Sequence, residues 1–257
     1  MNPIFRVIDS ETCGFEGGIV ELASVDVNQG SMLGFQDSNP MQDYVKPDRP
    51  IEFGAMAIHH ITEDMVSNAD PIELVWPVYT GKVPAHDESP EPDYFVAHNA
   101  SFDKGVLPPS NVPWICTLKL SRYVYPQLES HTNQYLRYAL DLDPIIKCIL
   151  PEGLHAHRAL YDVYCTAVLF AHLASKLQWD VGTMLRATSE PSLIHYVKFG
   201  KYAKQRPTFE EAVRNDPSYF QWCLGNMSDL DEDRRHTMVH WLQHYGQPLT
   251  QQRGRFR

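Results

Sequence analysis

Three short segments of this chain place acidic side chains where a predicted strand or helix begins or ends. They are Asp9-Ser10-Glu11-Thr12, His98-Asn99-Ala100-Ser101-Phe102-Asp103 and His157-Arg158-Ala159-Leu160-Tyr161-Asp162. Each segment lies at a cleft in the predicted arrangement of elements, so the fold has to bring four carboxylates and one histidine together. Carboxylate oxygens are the ligands that Mg²⁺ and Mn²⁺ prefer. Two such ions can clamp the attacking and leaving oxygens of a phosphodiester, and the order and spacing therefore predict metal-dependent phosphodiester hydrolysis.

The predicted elements begin as a run of strands and then alternate strands with helices. The predicted strands are Ile4–Asp9, Gly18–Val27, a strand around Asp43–Lys46, Tyr94–Ala97 and Trp114–Cys116. The predicted helices are Pro71–Tyr79, Ser101–Leu107, Thr117–Val124, Thr132–Leu140 and Ala156–Leu177. Polar, Gly- and Pro-bearing stretches at 28–41 and 81–92 indicate loops. This order predicts an α/β fold with a mixed sheet flanked by helices.

The pattern changes after Trp179, which places a boundary at residues 178–190. We expect a large first domain over residues 1–180 and a small hairpin-plus-helix module over residues 190–246. Residues 247–257 are rich in arginine and indicate a frayed basic tail.

Composition narrows the class of protein. A chain of 257 residues can bury one substantial core and carry a small appendage. It has no apolar run long enough to cross a membrane and no secretory signal at its start. Its five cysteines are odd in number and widely spaced, which favours reduced thiols in a cytoplasm over a disulfide framework or a zinc site.

The net charge of −10 argues at first against a nucleic-acid partner, but the charge is unevenly distributed. Residues 1–189 hold 12 Lys and Arg against 24 Asp and Glu, whereas residues 190–257 hold 10 against 8. A site that binds divalent cations must itself be acidic, and bound metals invert the local field. The acidity therefore predicts weak affinity for the nucleic-acid backbone rather than the absence of a nucleic-acid substrate.

The three acidic segments resemble the three motifs of the DEDDh (DnaQ-like) 3′→5′ exonucleases over about residues 4–175. Further matching stretches are Gly17-Gly18-Ile19-Val20-Glu21, Val45-Lys46-Pro47-Asp48-Arg49-Pro50-Ile51, Ala55-Met56-Ala57-Ile58-His59 and Trp114-Ile115-Cys116-Thr117. Ser10 stands where the family usually has Thr, which leaves both flanking acids intact. In the C-terminal part, Ala203-Lys204-Gln205-Arg206 departs from the expected basic residue and glycine at a turn.

The resemblance implies a ribonuclease H-like fold, two Mg²⁺ or Mn²⁺ ions and release of nucleoside 5′-monophosphates from a 3′ end. It implies that Asp9 bridges both ions, that Glu11 and Asp162 hold one, and that Asp103 holds the other, in part through water. It implies that His157 takes the proton from the attacking water, a task that suits an imidazole near neutral pH.

A second set of residues is expected to contact the substrate. The backbone of Thr12 and Cys13 could meet the sugar of the terminal nucleotide. Phe15 could wedge against a base, or it could belong to the core of the first hairpin. His59 and Ile61 could line the pocket for the terminal base, although His59 could instead cap a helix.

His98 and Asn99, a polar pair directly after a buried strand, complete this substrate-binding set. Alone, the same segment is typical of a helix N-terminus capped by Ser101. In the C-terminal module, basic and aromatic residues alternate in a pattern that suits contact with single strands, or simply a solvated hairpin face.

These expectations give a cytoplasmic 3′→5′ exodeoxyribonuclease acting on single-stranded and duplex DNA 3′ ends. Two alternatives stay open: an exoribonuclease with the same reaction, and a proofreading subunit that binds a polymerase. A role in DNA repair and a homodimer are further expectations that the resemblance allows.

Overall fold

The computed structural model describes residues 2–29, 39–82 and 90–245. The chain divides into two compact units, the first made of residues 1–120 and 130–188 and the second of residues 121–129 and 189–257. The sequence did not indicate that residues 121–129 belong with the C-terminal part. The domain limits at residues 180, 190 and 246 stay predictions.

Six strands of the described chain form one mixed sheet. They are β1 (Ile4–Thr12), β2 (Ile19–Asn28), β3 (Met41–Lys46), β4 (Asp70–Pro71), β5 (Tyr94–Ala97) and β6 (Trp114–Cys116). Their order across the sheet is β4-β3-β2-β1-β5-β6. β2 is antiparallel to both β1 and β3, whereas β5 and β6 continue from β1 in parallel. The carboxyl ends of β1, β5 and β6 therefore meet at one edge of the sheet.

Twelve α-helices are assigned in the described part of the chain. In chain order they are α1 (Phe53–His59), α2 (Glu63–Val66), α3 (Ile72–Tyr79), α4 (Ala100–Val106), α5 (Thr117–Val124), α6 (Asn133–Ala139), α7 (Asp143–Ile149), α8 (Ala159–Lys176), α9 (Val181–Ser189), α10 (Phe209–Asn215), α11 (Pro217–Asn226) and α12 (Glu232–Tyr245). The predicted mixed sheet flanked by helices is confirmed. Among these described helices, none is long and apolar enough to cross a membrane.

The centre of the sheet is covered on both faces. Every residue of β2 except Asn28 is buried, and β1 buries Phe5, Val7 and Ile8 completely. Strands of this kind are typically near-continuous apolar runs, and this explains the pattern at the start of the chain. Helix α8 packs against β1 and β2, so its first turn can reach the side chains at the end of β1.

The start of α8 differs from the prediction. The helix begins at Ala159 rather than Ala156, because His157 is left-handed with φ +64° and Arg158 is extended with φ −115° and ψ 130°. Neither conformation continues an α-helix. The placement of His157 within the helix is therefore wrong, and this residue lies in the preceding loop.

The second unit is mainly helical, and the predicted hairpin is reduced there to one short antiparallel pairing before the helices. The isolated antiparallel pairing there is a bridge between Tyr196 and Thr208, and Gly200–Tyr202 forms a short 3-10 helix. Phe209 and Phe220 are buried in a separate apolar core. Short apolar segments are ambiguous between strand and helix by periodicity alone.

Parts of three predicted segments lie outside the described residues. These are positions 30–38 of the first predicted loop, positions 83–89 of the second, and the whole basic tail at 247–257.

Candidate active site

The end of β1 carries the first two acidic side chains of the site. Asp9 and Glu11 share a face because alternate residues of a strand point the same way, and both are half-buried. The ladder with β2 is regular up to Glu11 and shifts between Glu11 and Thr12, where the chain turns away from the sheet. β1 therefore presents two carboxylates at the carboxyl edge of the sheet.

Asp162 joins this pair from the first turn of α8. One carboxylate oxygen from each of Asp9, Glu11 and Asp162 lies within 4.8 Å of the other two. We call these three residues the carboxylate triad. No other set of three or more Asp, Glu, His or Cys side chains converges in this way within the described residues.

Asp103, on α4, is held beside the triad by a different contact. It is only 3% exposed, and it accepts a 2.8 Å hydrogen bond from the hydroxyl of Ser10. Its charge raises the pKa values of Asp9 and Glu11, so the four predicted carboxylates share one electrostatic environment.

Burial opposes ionisation of all four groups, and repulsion by neighbouring carboxylates adds to it for Asp9 and Glu11. Burial, and then the neighbouring carboxylates, raise the pKa of Asp9 well above its usual value and that of Glu11 to about 8. Burial raises the pKa of Asp103 to about 7 and also raises that of Asp162. Like charges brought together out of water are expected to behave in this way.

A divalent cation fits this set of donors. The triad offers three carboxylate oxygens within one ion's reach, and hard cations prefer oxygen ligands. A bound cation would reverse the local field and favour the ionised carboxylates. The site is therefore suited in both ligand type and charge to hold a divalent metal.

His157 lies in the loop before α8 and is exposed. Its backbone N–H donates a 2.9 Å hydrogen bond to Asp162 Oδ2, which ties the left-handed residue to the triad. Its neighbour His155 is also exposed, and its ring lies 5.8 Å from that of His60. An exposed imidazole beside carboxylates can act as a general base, and that role of His157 stays a prediction.

The backbone groups of Thr12 and Cys13 are largely engaged within the protein. The Cys13 N–H donates to the Gly18 carbonyl at 2.7 Å, and the Cys13 carbonyl accepts from the Glu52 N–H at 2.9 Å. The Thr12 carbonyl lies 3.2 Å from His59 Nε2. These bonds hold the glycine-rich turn that follows β1, and a contact of either residue with a nucleotide stays a prediction.

His59 and Ile61 support this turn from inside the protein. They are 2% and 0% exposed, and His59 Nδ1 accepts a 2.9 Å bond from the Ile61 N–H. This bond links the His59 ring to the backbone just after the end of α1. The contact resembles the helix-capping role considered for His59. Neither side chain presents appreciable surface in this conformation, and their predicted contact with a base remains untested.

Phe15 is 98% exposed at the tip of the turn after β1. The alternative that placed Phe15 in the core is therefore wrong. A fully exposed aromatic ring next to a candidate nuclease site is available to stack on a base, and this role stays a prediction.

His98 and Asn99 follow β5 at the same edge of the sheet. His98 Nδ1 lies 2.9 Å from the Thr117 hydroxyl, while Asn99 is left-handed with φ +67° at the N-cap of α4. Ser101 lies inside α4 and donates to the Asn99 side chain at 3.3 Å, so its predicted capping role is wrong. Both residues lie at the edge of the sheet where β1 also ends, because β5 is parallel to β1. Their substrate contacts stay predictions.

Two residues next to the triad were not singled out from the sequence. Glu21 of β2 is fully buried and forms an ion pair with Arg158, the residue just before α8. An acid within a buried, mostly apolar strand was the available signal, because Asp and Glu are almost never fully buried without a partner.

Comparison with known proteins agrees with this geometry. A family model described as RNase_T exonuclease matches residues 7–170. Exodeoxyribonuclease 10 of Escherichia coli (strain K12) is 41% identical over 240 residues, which cover 93% of this chain and 99% of that protein.

Solved structures give the same result. The structure of exonuclease X in complex with 5′ overhanging duplex DNA is 44% identical, with a TM-score of 0.61, and the match covers 72% of this chain and 99% of that one. The nuclease domain of 3′hExo, a DEDDh family member bound to rAMP, is 16% identical with a TM-score of 0.50 over 70% of this chain and 94% of that one, a likeness of fold. The predicted ribonuclease H-like fold is thereby confirmed. By its matched domain, its full-length relative and its fold, this chain belongs to the RNase_T exonuclease family, within the DEDDh (DnaQ-like) 3′→5′ exonucleases.

Proposed function

We propose that this metal-dependent 3′→5′ exonuclease is an exodeoxyribonuclease that releases nucleoside 5′-monophosphates from DNA 3′ ends. The observation that carries the proposal is the convergence of Asp9, Glu11 and Asp162 within 4.8 Å at the sheet edge. The choice of DNA is supported by 41% identity to an exodeoxyribonuclease over nearly the whole of both chains.

The proposal assigns two divalent ions, Mg²⁺ or Mn²⁺, to the four carboxylates. Asp9, Glu11 and Asp162 would hold one ion, and Asp9 with Asp103 would hold the second. Bound ions of this kind neutralise the charge that develops on the phosphoryl and leaving oxygens and activate water.

The chain's own residues then handle orientation and protons. In the reaction the water oxygen bonds to phosphorus, the bond from phosphorus to the 3′ oxygen breaks, and the 3′ oxygen takes up a proton. His157 would accept the proton that the water loses, because its exposed imidazole is free to move while its main chain is tied to Asp162. Phe15 would stack on a base near the end, with Thr12, Cys13, His98 and Asn99 around the terminal nucleotide.

Single-stranded and duplex 3′ ends are both included as substrates. Four cysteines of the chain are buried, Cys148 is exposed, and all five are unpaired. This usage is consistent with the cytoplasmic setting that we propose. Binding to a polymerase, a repair role and a homodimer stay predictions.

Matched DNA and RNA oligonucleotides of one sequence, each labelled at the 5′ end, test the proposal when they are incubated with Mg²⁺. We expect a ladder that shortens one nucleotide at a time from the 3′ end, with DNA degraded faster than RNA and nucleoside 5′-monophosphates as products. Faster degradation of RNA would indicate that the protein is an exoribonuclease instead. Internal cleavage, or products that carry a 3′-phosphate, would overturn it.

A further inference from the structure

Glu21 is a fully buried carboxylate directly beside the carboxylate triad. It is the register partner of Glu11 across β1 and β2, so both side chains lie on the same face of the sheet. A fifth acid in this place would repel the triad if it were not compensated. Its presence next to a metal site therefore requires a physical explanation.

Both carboxylate oxygens of Glu21 accept hydrogen bonds from donors within the protein. Arg158 Nε lies 3.1 Å from each of its two oxygens, and Gln42 Nε2 donates to Oε1 at 2.7 Å. The N–H of Ala159, the first residue of α8, donates to Oε2 at 2.9 Å. Glu21 thus caps the N-terminus of α8 from a neighbouring strand, and α8 has no cap from its own N-cap side chain.

Arg158 connects this cap to the catalytic segment. Its guanidinium also donates to the Tyr44 hydroxyl at 3.0 Å and lies over the Tyr44 ring at 5.5 Å. Its carbonyl accepts the Asp162 N–H at 3.1 Å, which is the first backbone bond that fixes Asp162. A planar guanidinium held at several points fixes the main chain of its residue more firmly than an ammonium can.

His157 depends on the same fixed segment. It is a left-handed, non-glycine residue directly before Arg158, and such a conformation persists only where the surroundings enforce it. Its own N–H bond to Asp162 closes a short loop from Arg158 back to the triad. The ion pair between Glu21 and Arg158 therefore holds the short segment, residues 157–162, that carries both His157 and Asp162.

We propose that Glu21 and Arg158 are positioning residues, which fix the start of α8 so that Asp162 completes the carboxylate triad and His157 faces it. The inference rests on the proposed function for its catalytic consequence, but its structural and metal-binding consequences are independent of the substrate. Groups that orient metal ligands typically affect metal affinity or activity by about 10–100-fold.

The chain offers a matched control for a test. Arg6 of β1 and Asp26 of β2 form another buried, two-point ion pair, with Arg6 Nε and Nη2 each 2.7 Å from an Asp26 oxygen. That pair contacts the Tyr79 and Pro90 carbonyls and no residue of the triad. Arg158→Lys and Arg6→Lys both keep the positive charge and remove the two-point guanidinium contact. The two arginines differ in location and in burial, since the Arg6 side chain is 0% exposed and that of Arg158 is 18% exposed.

The measurements are Mn²⁺ binding by calorimetry without substrate, thermal unfolding with chelator, and kcat and KM on a short DNA oligonucleotide. We expect Arg158→Lys to weaken Mn²⁺ binding about tenfold and to lower kcat about 10–100-fold, with KM changed less than about threefold. Arg6→Lys should match the wild type in Mn²⁺ affinity and kcat even if it unfolds at lower temperature. Glu21→Gln, which keeps an acceptor for the Ala159 N–H, should reproduce the losses, and the double variant should lose less than the product of the single losses.

Wild-type Mn²⁺ affinity and kcat in a folded Arg158→Lys protein would overturn the inference. Equal losses in Arg158→Lys and Arg6→Lys would also overturn it, because general loosening of the sheet would then explain both. If the wild type hydrolyses no nucleic acid but Arg158→Lys still weakens Mn²⁺ binding, the proposed function fails and the positioning role stands.

Discussion

At the scale of single residues, the site combines carboxylates on strands and helices with one exposed histidine in a loop. The carboxylates of Asp9, Glu11 and Asp162 lie on regular elements, whereas His157 is exposed in a loop and is held to Asp162 through its main chain. A base that takes a proton from water and then releases it to solvent needs this exposure.

His157→Ala should lower kcat by about 10²–10⁴ with a smaller change in KM, because the variant loses the proton acceptor and keeps the metal ligands. Steady-state kinetics on a short DNA oligonucleotide give both constants. His155→Ala is the matched control, since His155 is an exposed histidine of the same loop that contacts His60. Equal losses in the two variants, or full activity of His157→Ala, would remove His157 from the mechanism.

Phe15→Ala should slow the degradation of blunt duplex DNA more than that of single strands, because a ring wedged against a base would also help to hold the terminal base pair open. Phe15 is 98% exposed, so its removal costs the fold little, and stacking on a base is expected to contribute roughly 1–3 kcal/mol. Initial rates on a duplex and on the same strand alone test this. A parallel loss on both substrates would show that Phe15 does not act at the end of a duplex.

At the scale of elements, the site exists because three ends meet: the end of β1, the start of α4 and the start of α8. The close approach of their carboxylates makes the metal-free protein sensitive to pH, since burial and neighbouring charges raise the pKa values of these groups.

The thermal stability of the chelated protein should fall as the pH rises from about 5 to about 8. A carboxyl whose pKa is higher in the folded state stabilises the fold fully below its unfolded pKa of about 4. That contribution is lost as the pH rises through the folded values, about 7 for Asp103 and about 8 for Glu11. Melting curves with chelator and with saturating Mg²⁺ measure the effect, which Mg²⁺ should reduce.

Glu11→Gln provides the control for this pH dependence. It removes one of the shifted groups, so the slope of melting temperature against pH in chelator should become shallower. If neither Mg²⁺ nor Glu11→Gln changes this slope, groups outside the carboxylate site cause the pH dependence of the melting temperature.

The sequence was informative wherever the signal is local. Alternation along a strand predicted that Asp9 and Glu11 share a face, and the apolar runs located β5, β6 and α5 at their observed bounds. The left-handed turn at His157 was not predictable, because it depends on a pairing between Glu21 and Arg158, which are 137 residues apart. A long-range ion pair of this kind produces no periodic pattern in the sequence.

At the scale of the whole molecule, the chain combines the exonuclease unit with a small helical unit whose role is a prediction. Residues 190–245 hold 7 Lys and Arg against 8 Asp and Glu, so the positive balance of the C-terminal part comes from arginines beyond residue 245. Electrostatic attraction by the helical unit is therefore weaker than the sequence total suggests, and stacking becomes the more important candidate contact.

A stacked aromatic pair with one exposed ring offers such a contact in this unit. Trp222 is 56% exposed and stacks on Tyr219 with ring centroids 6.4 Å apart, and Lys201 Nζ lies 4.5 Å from the Tyr219 ring centroid. Trp222→Ala should raise KM on long single strands and leave the cleavage of very short oligonucleotides unchanged. Deletion of residues 190–257 is a poorer test, because it removes the partners with which residues 121–129 pack.

Steady-state KM on strands of increasing length measures this contribution. If Trp222→Ala behaves as the wild type at every length, the helical unit does not hold the strand through this surface. Docking of a protein partner then becomes the better hypothesis for the unit.

In the proposed function, carboxylates from β1, α4 and α8 hold divalent ions for hydrolysis at a 3′ end. The most direct test of this assignment is mononucleotide release by the wild type and by Asp9→Asn across a Mg²⁺ titration, with melting curves in chelator alongside. We predict a wild type that is inactive in chelator and active in Mg²⁺. We predict an Asp9→Asn variant that is slower by at least about 10³ at every Mg²⁺ concentration and that melts no lower than the wild type, because a buried, repelled carboxyl has been removed. A folded Asp9→Asn protein with substantial activity, or a wild type that works in chelator, would contradict the account.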